Sequence, residues 1–236
     1  MRGLRIFLIG GLITLCSLPA LAVPQSGDEV LAFVRAKLPT DPIRLTGSLR
    51  VRTKNGYTRT NLPVVMELNW GREPATATYR IEQETLNIEW RDEVPAYTFS
   101  NEKNTPTSDI LGTGITWADL SFSVLWWTDS KLIGEDQKIN RDCYVVEVPV
   151  PDSDHIMRLW IEKQMGLLLE AETFDSKKQL LRRLKIRSIK KMDGLWVAKD
   201  IEIRDRTNGS TTSLQISDLE WESSTPDEQE NDEPLS

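Results

Sequence analysis

The chain has 236 residues, with 29 basic and 36 acidic side chains and a formal charge of −7. That length suits one domain or one large β-rich unit, and the lack of a basic excess argues against nucleic acid as a partner. The charge is also uneven. Residues 1–22 hold two arginines and the last fifteen residues hold six acids and no base, so the body between them is close to −3.

The N-terminus reads as an export signal. Residues 1–5 form a short basic region, and Ile6 to Leu18 an apolar one. Pro19-Ala20-Leu21-Ala22 then gives the small-x-small pattern that signal peptidase reads, with cleavage expected before Val23. Leu15 before Cys16 does not fit a lipidation signal, which wants a small residue there. The expected location is the periplasm, with one domain over residues 23–221 and a disordered acidic tail over 222–236. Cleavage leaves Cys143 alone, so no internal disulfide can form and stability must come from a core. Cys143, beside Tyr144 and Val145, reads as a small buried apolar residue.

Ser26-Gly-Asp-Glu29 fits a capping box, and Val30, Leu31, Val34 and Leu38 come next at helical spacing until Pro39 and Pro42. The spacing predicts a helix over 26–38. Most of the chain beyond Pro42 alternates apolar and polar residues with period two. Leu45, Gly47, Leu49 and Val51 begin the series, Lys54-Asn55-Gly56 makes a hairpin turn, and Val64, Met66, Leu68 and Trp70 continue it. Ala75–Glu82 and Thr85–Arg91 form a second hairpin, with Leu86, Ile88 and Trp90 on one face. The pattern resumes over 144–148, 157–161, 180–189, 195–203 and 213–221, with turn signals such as Asp193-Gly194 and Asn208-Gly209 between the runs. A sheet this large must curl or be covered.

The segment Asp119-Leu-Ser-Phe-Ser-Val-Leu-Trp-Trp127 supplies a cover. As a strand it alternates; as a helix it carries two apolar stripes. Thr116 with Asp119 three residues on is a capping-box pattern, and the spacing predicts a helix around 116–128. Such a helix is either deeply buried, plugging the sheet, or leaves a hydrophobic patch that binds something.

Catalytic signatures are absent. The one histidine, His155, sits in a turn-like Asp-Ser-Asp-His run, with no GxSxG elbow, phosphate loop or CxxC. The chain reads as a non-enzyme, and no cofactor or metal is implied. A pair of carboxylates meeting in space, as an envelope hydrolase would need, has no sequence signature to mark it. Residues 177–191 hold eight bases, of which Arg183, Lys185 and Arg187 share a strand face. These three read either as a solvated edge or as a docking patch for an acidic partner or anionic head groups.

Taken in order, several stretches resemble the LolA-like superfamily of periplasmic outer-membrane lipoprotein-sorting proteins, in an uncharacterised branch. They are Thr116-Trp-Ala-Asp-Leu-Ser-Phe-Ser123, Leu125-Trp-Trp127, Arg141-Asp-Cys-Tyr-Val-Val-Glu147, Leu159-Trp-Ile-Glu162, Gly166-Leu-Leu-Leu-Glu-Ala171, Asp193-Gly-Leu-Trp-Val197 and Ile203-Arg-Asp205. The resemblance implies an unclosed antiparallel β-barrel, here of about ten or eleven strands, mainly β with few helices and a helical lid on the concave face. It implies shielding of lipoprotein or lipid acyl chains and transport partners at the inner and outer membranes. No position here can be matched to the lid arginine of the family's carriers. On this reading Trp117, Leu120, Phe122, Leu125, Trp126 and Trp127 line the lid side of an apolar cavity. Leu49, Met66, Trp90 and Trp160 contribute from the sheet, and the chain acts as a monomer. The alternative is an envelope scaffold or interaction module whose barrel is filled by its own side chains.

Overall fold

The structure is a computed structural model that describes residues 24–52, 55, 57–207 and 209–221. The expected signal segment, most of the turn at 53–56 and the acidic tail lie outside the described residues. Among the described residues, twelve strands form one antiparallel sheet in the order β5-β4-β3-β2-β1-β12-β11-β10-β9-β8-β7-β6. They are β1 (Ile43–Arg52), β2 (Thr58–Asn69), β3 (Ala75–Ile81), β4 (Glu84–Arg91), β5 (Val94–Phe99), β6 (Lys131–Lys138), β7 (Arg141–Pro149), β8 (Ile156–Glu162), β9 (Leu168–Phe174), β10 (Leu180–Met192), β11 (Leu195–Asp205) and β12 (Thr211–Trp221). The two edges, β5 and β6, do not pair, so the barrel is unclosed.

This order dictates the lid. β5 and β6 are consecutive in the chain yet sit at opposite edges. Twelve strands laid flat would separate them by roughly 50 Å. The connection over residues 100–130 therefore crosses the concave face of the curled sheet.

The strand count exceeds the expected ten or eleven, and the two edge strands are among those that the alternation does not mark. β6 is exposed along most of its length and carries Lys131, Glu135, Asp136 and Lys138; β5 carries Pro95 and alternates only between exposed and half-buried positions. Neither has the fully buried stripe by which strands announce themselves in sequence. Charge and proline at an edge are what keep it from pairing with another chain.

Helix α1 (Gly27–Arg35) is shorter than the predicted 26–38. Ser26 caps it by accepting from the Glu29 amide, but the Glu29 carboxylate accepts from Gln25 N rather than closing the box on Ser26. Val30, Leu31 and Val34 are buried against the concave face. Gly27 is required by closeness: a Cβ there would lie 2.5 Å from the Ser130 carbonyl carbon. Beside it, Asp28 accepts from Ser130 N (3.0 Å) and Oγ, so the start of α1 pins the end of the lid connection.

The predicted lid helix is the main correction. Thr116 and Asp119 do form a full capping box, but helix α2 is only Trp117–Leu120. Phe122 then adopts a left-handed conformation (φ 50), and a 3₁₀ turn covers Ser123–Trp126. The serines that flank Phe122 account for the break. Ser121 Oγ donates back to Trp117 O at 2.8 Å, and the Ser121 and Ser123 hydroxyls bond each other at 2.7 Å. Serine competing with the backbone in this way shortens helices.

One core cluster lies between the concave face, α1 and the lid, drawing buried side chains from almost every strand. A second, smaller cluster of Cys143, Val145, Trp160 and Leu169 sits on the outer face of β7–β9. Among the described residues no helix is long and apolar enough to cross a membrane.

Candidate functional site: a lidded apolar cavity

Among the described residues, a pair of cavities lies under the lid. The first, about 220 Å³, is bounded by α1 and its C-terminal loop, by Leu120, Phe122, Leu125 and Trp126 of the lid, and by strands from both halves of the sheet. Met66, Leu68 and Ile201 belong to that sheet wall, and Trp196 stands at its rim, 44% exposed. Its side chains are apolar apart from Lys37, Ser121 and the Tyr79 hydroxyl. Burial pushes the Tyr79 hydroxyl far above its ordinary pKa, so it stays neutral and the cavity carries no charge there. The second cavity, about 280 Å³, lies between the lid and β8–β11. It is lined by Val124, Trp127 and Met157, and also by polar groups including Arg182, His155 and several threonines. Phe122 and Leu168 line both cavities and form the wall between them.

The left-handed break at Phe122 thus sends the adjacent tryptophans to different places. Trp126 faces the first cavity and stacks on Trp90 of β4, with ring centroids 4.7 Å apart and planes 31° apart. Trp127, in extended backbone, faces the second. Trp117 goes to neither. It is 1% exposed and packs edge-on against Phe99 of β5.

The other expected residues divide in the same way. Met66 lines the first cavity. Leu49 is fully buried in the core cluster and reaches neither cavity, so it fills the barrel rather than lining it. Trp90 stands behind Trp126 and borders a separate polar pocket. Trp160 belongs to the outer-face cluster, where its Nε1 donates to Asp136 Oδ2 at 2.8 Å and Lys138 lies over its ring. Its neighbour Ile161 points inward, because successive strand residues face opposite ways.

Of the three bases expected at a docking patch, Arg183 is held on the outer face by Glu170 and Glu172. Lys185 lies two residues along, half-buried, and Arg187 is exposed. Glu162, Glu170 and Glu172 are buried carboxylates, each facing a base: Arg141, Lys138 with Arg183, and Arg183 respectively. They are paired structural groups away from either cavity. Cys143, beside them, is fully buried, and burial pushes its thiol up to about 11.

Two arginines that sequence reasoning did not single out hold the lid down. Arg35, from α1, donates through Nη1 to Leu125 O at 2.6 Å and through Nη2 to Glu93 at 2.8 Å. Arg182, from β10, donates through Nη2 to Gly114 O and to Asp119 Oδ2, both at 2.7 Å. Asp119 also accepts from Thr116 N and Oγ1, so one carboxylate both caps α2 and anchors it. At the far edge, Tyr97 of β5 donates to Ser123 Oγ at 3.1 Å. Arg182 was visible only as one base among eight; its parity, opposite to Arg183, is the signal that sets it apart.

The unclosed sheet and its lid make a LolA-like fold, and solved structures of other proteins share it. A DUF1329 family protein from Desulfovibrio piger superposes with a TM-score of 0.68 at 14% identity, covering 85% of this chain and 94% of that one. A domain named for outer membrane lipoprotein sorting, from Vibrio parahaemolyticus, gives 0.66 at 16% identity, with 85% and 94% covered. A LolA superfamily protein from Nitrosomonas europaea gives 0.60 at 14% identity, with 84% and 94% covered. No curated protein matches the sequence. The chain belongs to the family whose model, described as an uncharacterized protein, matches residues 82–232.

Proposed function

We propose that the protein is a periplasmic carrier that shelters the acyl chains of lipoproteins or other lipids, without covalent chemistry. The first cavity is the observation that carries this reading: an apolar hollow, open at one rim, roofed by a segment that a few polar contacts hold in place. Affinity would come from removing methylenes from water, about 0.8 kcal/mol each. The lid contacts are few enough to be exchanged for acyl contacts as a chain enters between Trp126 and the sheet. Export would follow from cleavage after Ala22, leaving residues 23–221 as one domain, and delivery would call on partners at the two membranes. The sorting function named for the Vibrio parahaemolyticus domain supports the reading by analogy of fold.

The scaffold alternative draws on Leu49 and Trp117, which fill part of the barrel with the chain's own side chains. Purification without detergent, followed by solvent extraction and mass spectrometry, separates the two. A carrier yields acyl lipid approaching one molecule per chain. A preparation that holds no lipid and takes up none when offered fatty acid would be a scaffold.

A further inference from the structure

The β10–β11 hairpin outruns the sheet that carries it. β10 pairs with β9 as far as Lys185, opposite Glu170, and β11 pairs with β12 only from Asp200 onward. Among the described residues, 187–199 pair only with each other, closing on the turn at Asp193-Gly194. Register shifts on either side of Ser188 bend β10 out of line with its neighbour. Trp221 Nε1 donates to Asp193 O at 3.1 Å and steadies the tip of this arm.

The arm forms one side of the first cavity's opening. Leu195, Trp196 and Val197 line that cavity together with Leu38, Met165 and Leu167. Trp196 is 44% exposed although it borders an apolar hollow. Lys191 stands directly across the hairpin from Trp196, and Lys190 from Val197, and both lysines are exposed. Lys37, also exposed, reaches the same rim from the loop after α1.

The charge here is local and unmatched. The whole chain is −7, yet residues 187–199 hold four bases, Arg187, Lys190, Lys191 and Lys199, against one acid, Asp193. Elsewhere on the sheet bases meet acids: Arg80 with Glu67, Arg158 with Glu147 and Arg183 with Glu172. Among the described residues, no carboxylate lies in ion-pair reach of the four bases on the arm. Lysine on a free strand edge guards against aggregation, but that role does not call for a bare tryptophan beside an apolar opening. Tryptophan flanked by bases is the composition that settles at an anionic head-group layer.

We propose that this arm is a docking surface for an anionic phospholipid bilayer, which it meets with the cavity opening toward the head groups. Lys37, Lys190 and Lys191 contact lipid phosphates, and Trp196 lies at the level of the upper acyl methylenes. A chain then passes between bilayer and cavity without crossing water. The proposal builds on the acyl-carrier reading and adds where cargo is exchanged.

The test is flotation of the purified protein with vesicles of phosphatidylcholine alone or with one-third phosphatidylglycerol, at low and high salt. The protein should float with the anionic vesicles at low salt and with neither composition at high salt. Lys190→Gln with Lys191→Gln should weaken that binding about 30-fold, roughly fivefold for each base at an anionic surface. Trp196→Ala, at an already exposed position, should weaken it about tenfold. Lys177→Gln with Lys178→Gln is the control. These bases are also exposed but lie roughly 40 Å away along β10, so binding should not change. No binding to either vesicle, as when an acidic protein or the chain's own acidic residues 222–236 occupy the arm instead, overturns the proposal. Equal loss in both lysine pairs overturns it too, since that would mark general charge attraction. Fatty-acid uptake, measured separately on the same protein, keeps the two readings distinct. Uptake without docking strikes the docking surface alone, and docking without uptake strikes acyl carriage alone.

Discussion

Replacing Arg182 by methionine keeps the apolar stem and removes the guanidinium that ties the lid to β10. Two contacts are lost, to Asp119 Oδ2 and to Gly114 O, each 2.7 Å. The Arg182 side chain is 24% exposed and that of Asp119 15%, so the pair is too sheltered to be worth only the ~0–1 kcal/mol of a surface ion pair. A hydrogen bond to a charged group contributes about 1.5–3 kcal/mol. Asp119 retains Thr116 N and Oγ1 as donors, so its charge is not stranded and the upper end of that range does not apply. The expected loss is about 2 kcal/mol, or roughly 30-fold in the population of the open lid. The assay is amide hydrogen exchange, which reports local opening. Ser121 and Leu125, whose amides bond within the lid to Trp117 O and Phe122 O, should exchange about 30-fold faster. Arg183→Met is the control: it lies one residue on, faces the other way and pairs with Glu172, so it should leave lid exchange unchanged. Unchanged exchange in Arg182→Met, or equal acceleration in both variants, would refute the anchoring argument.

The tryptophans should separate by role. Trp117→Ala removes a fully buried side chain and should cost about 3–5 kcal/mol in urea unfolding, whereas half-buried Trp126→Ala should cost about 2 kcal/mol and weaken acyl binding more than stability. Trp160→Phe, on the outer face, should lower stability by about 1–2 kcal/mol through its lost bond to Asp136, with acyl affinity unaltered. Cys143 should resist thiol reagents until urea unfolds the protein. Because burial raises its thiol pKa to about 11, the folded state holds that proton more tightly than the unfolded chain. Its contribution is therefore intact below about pH 8.5 and is lost as pH climbs through about 11. Cys143→Ala should flatten the fall of the urea midpoint across that window.

The sheet was legible because period-two alternation is written residue by residue, as in Leu86, Ile88 and Trp90 against Asn87 and Glu89. β5 and β6 escaped because edge strands lack a buried stripe, and β9 because it is buried on both faces from Leu168 to Glu172 and so does not alternate. The lid was legible in composition and in its Thr116–Asp119 cap, but not in geometry. The break at Phe122 depends on Ser121 and Ser123 bonding locally, and helical spacing of the apolar residues hides it. Trp160 was expected at the cavity but lies on the outer face, as its parity opposite to Leu159 and Ile161 dictates. The partners of Arg35 and Arg182 could not be read from sequence: they lie 90 and 63 residues away, at Leu125 and Asp119.

The most direct test of acyl carriage is titration of the purified protein with a fatty acid brominated at mid-chain, monitored by tryptophan emission. Bromine quenches only at close range, and Trp126 borders the cavity where the chain should lie. Saturable quenching at about one equivalent is the expected result, unchanged in Trp160→Phe and smaller, though not lost, in Trp126→Phe, because Trp70 and Trp196 also line the cavity. Quenching that never saturates, or that ignores the Trp126 substitution, would contradict an acyl chain beneath this lid.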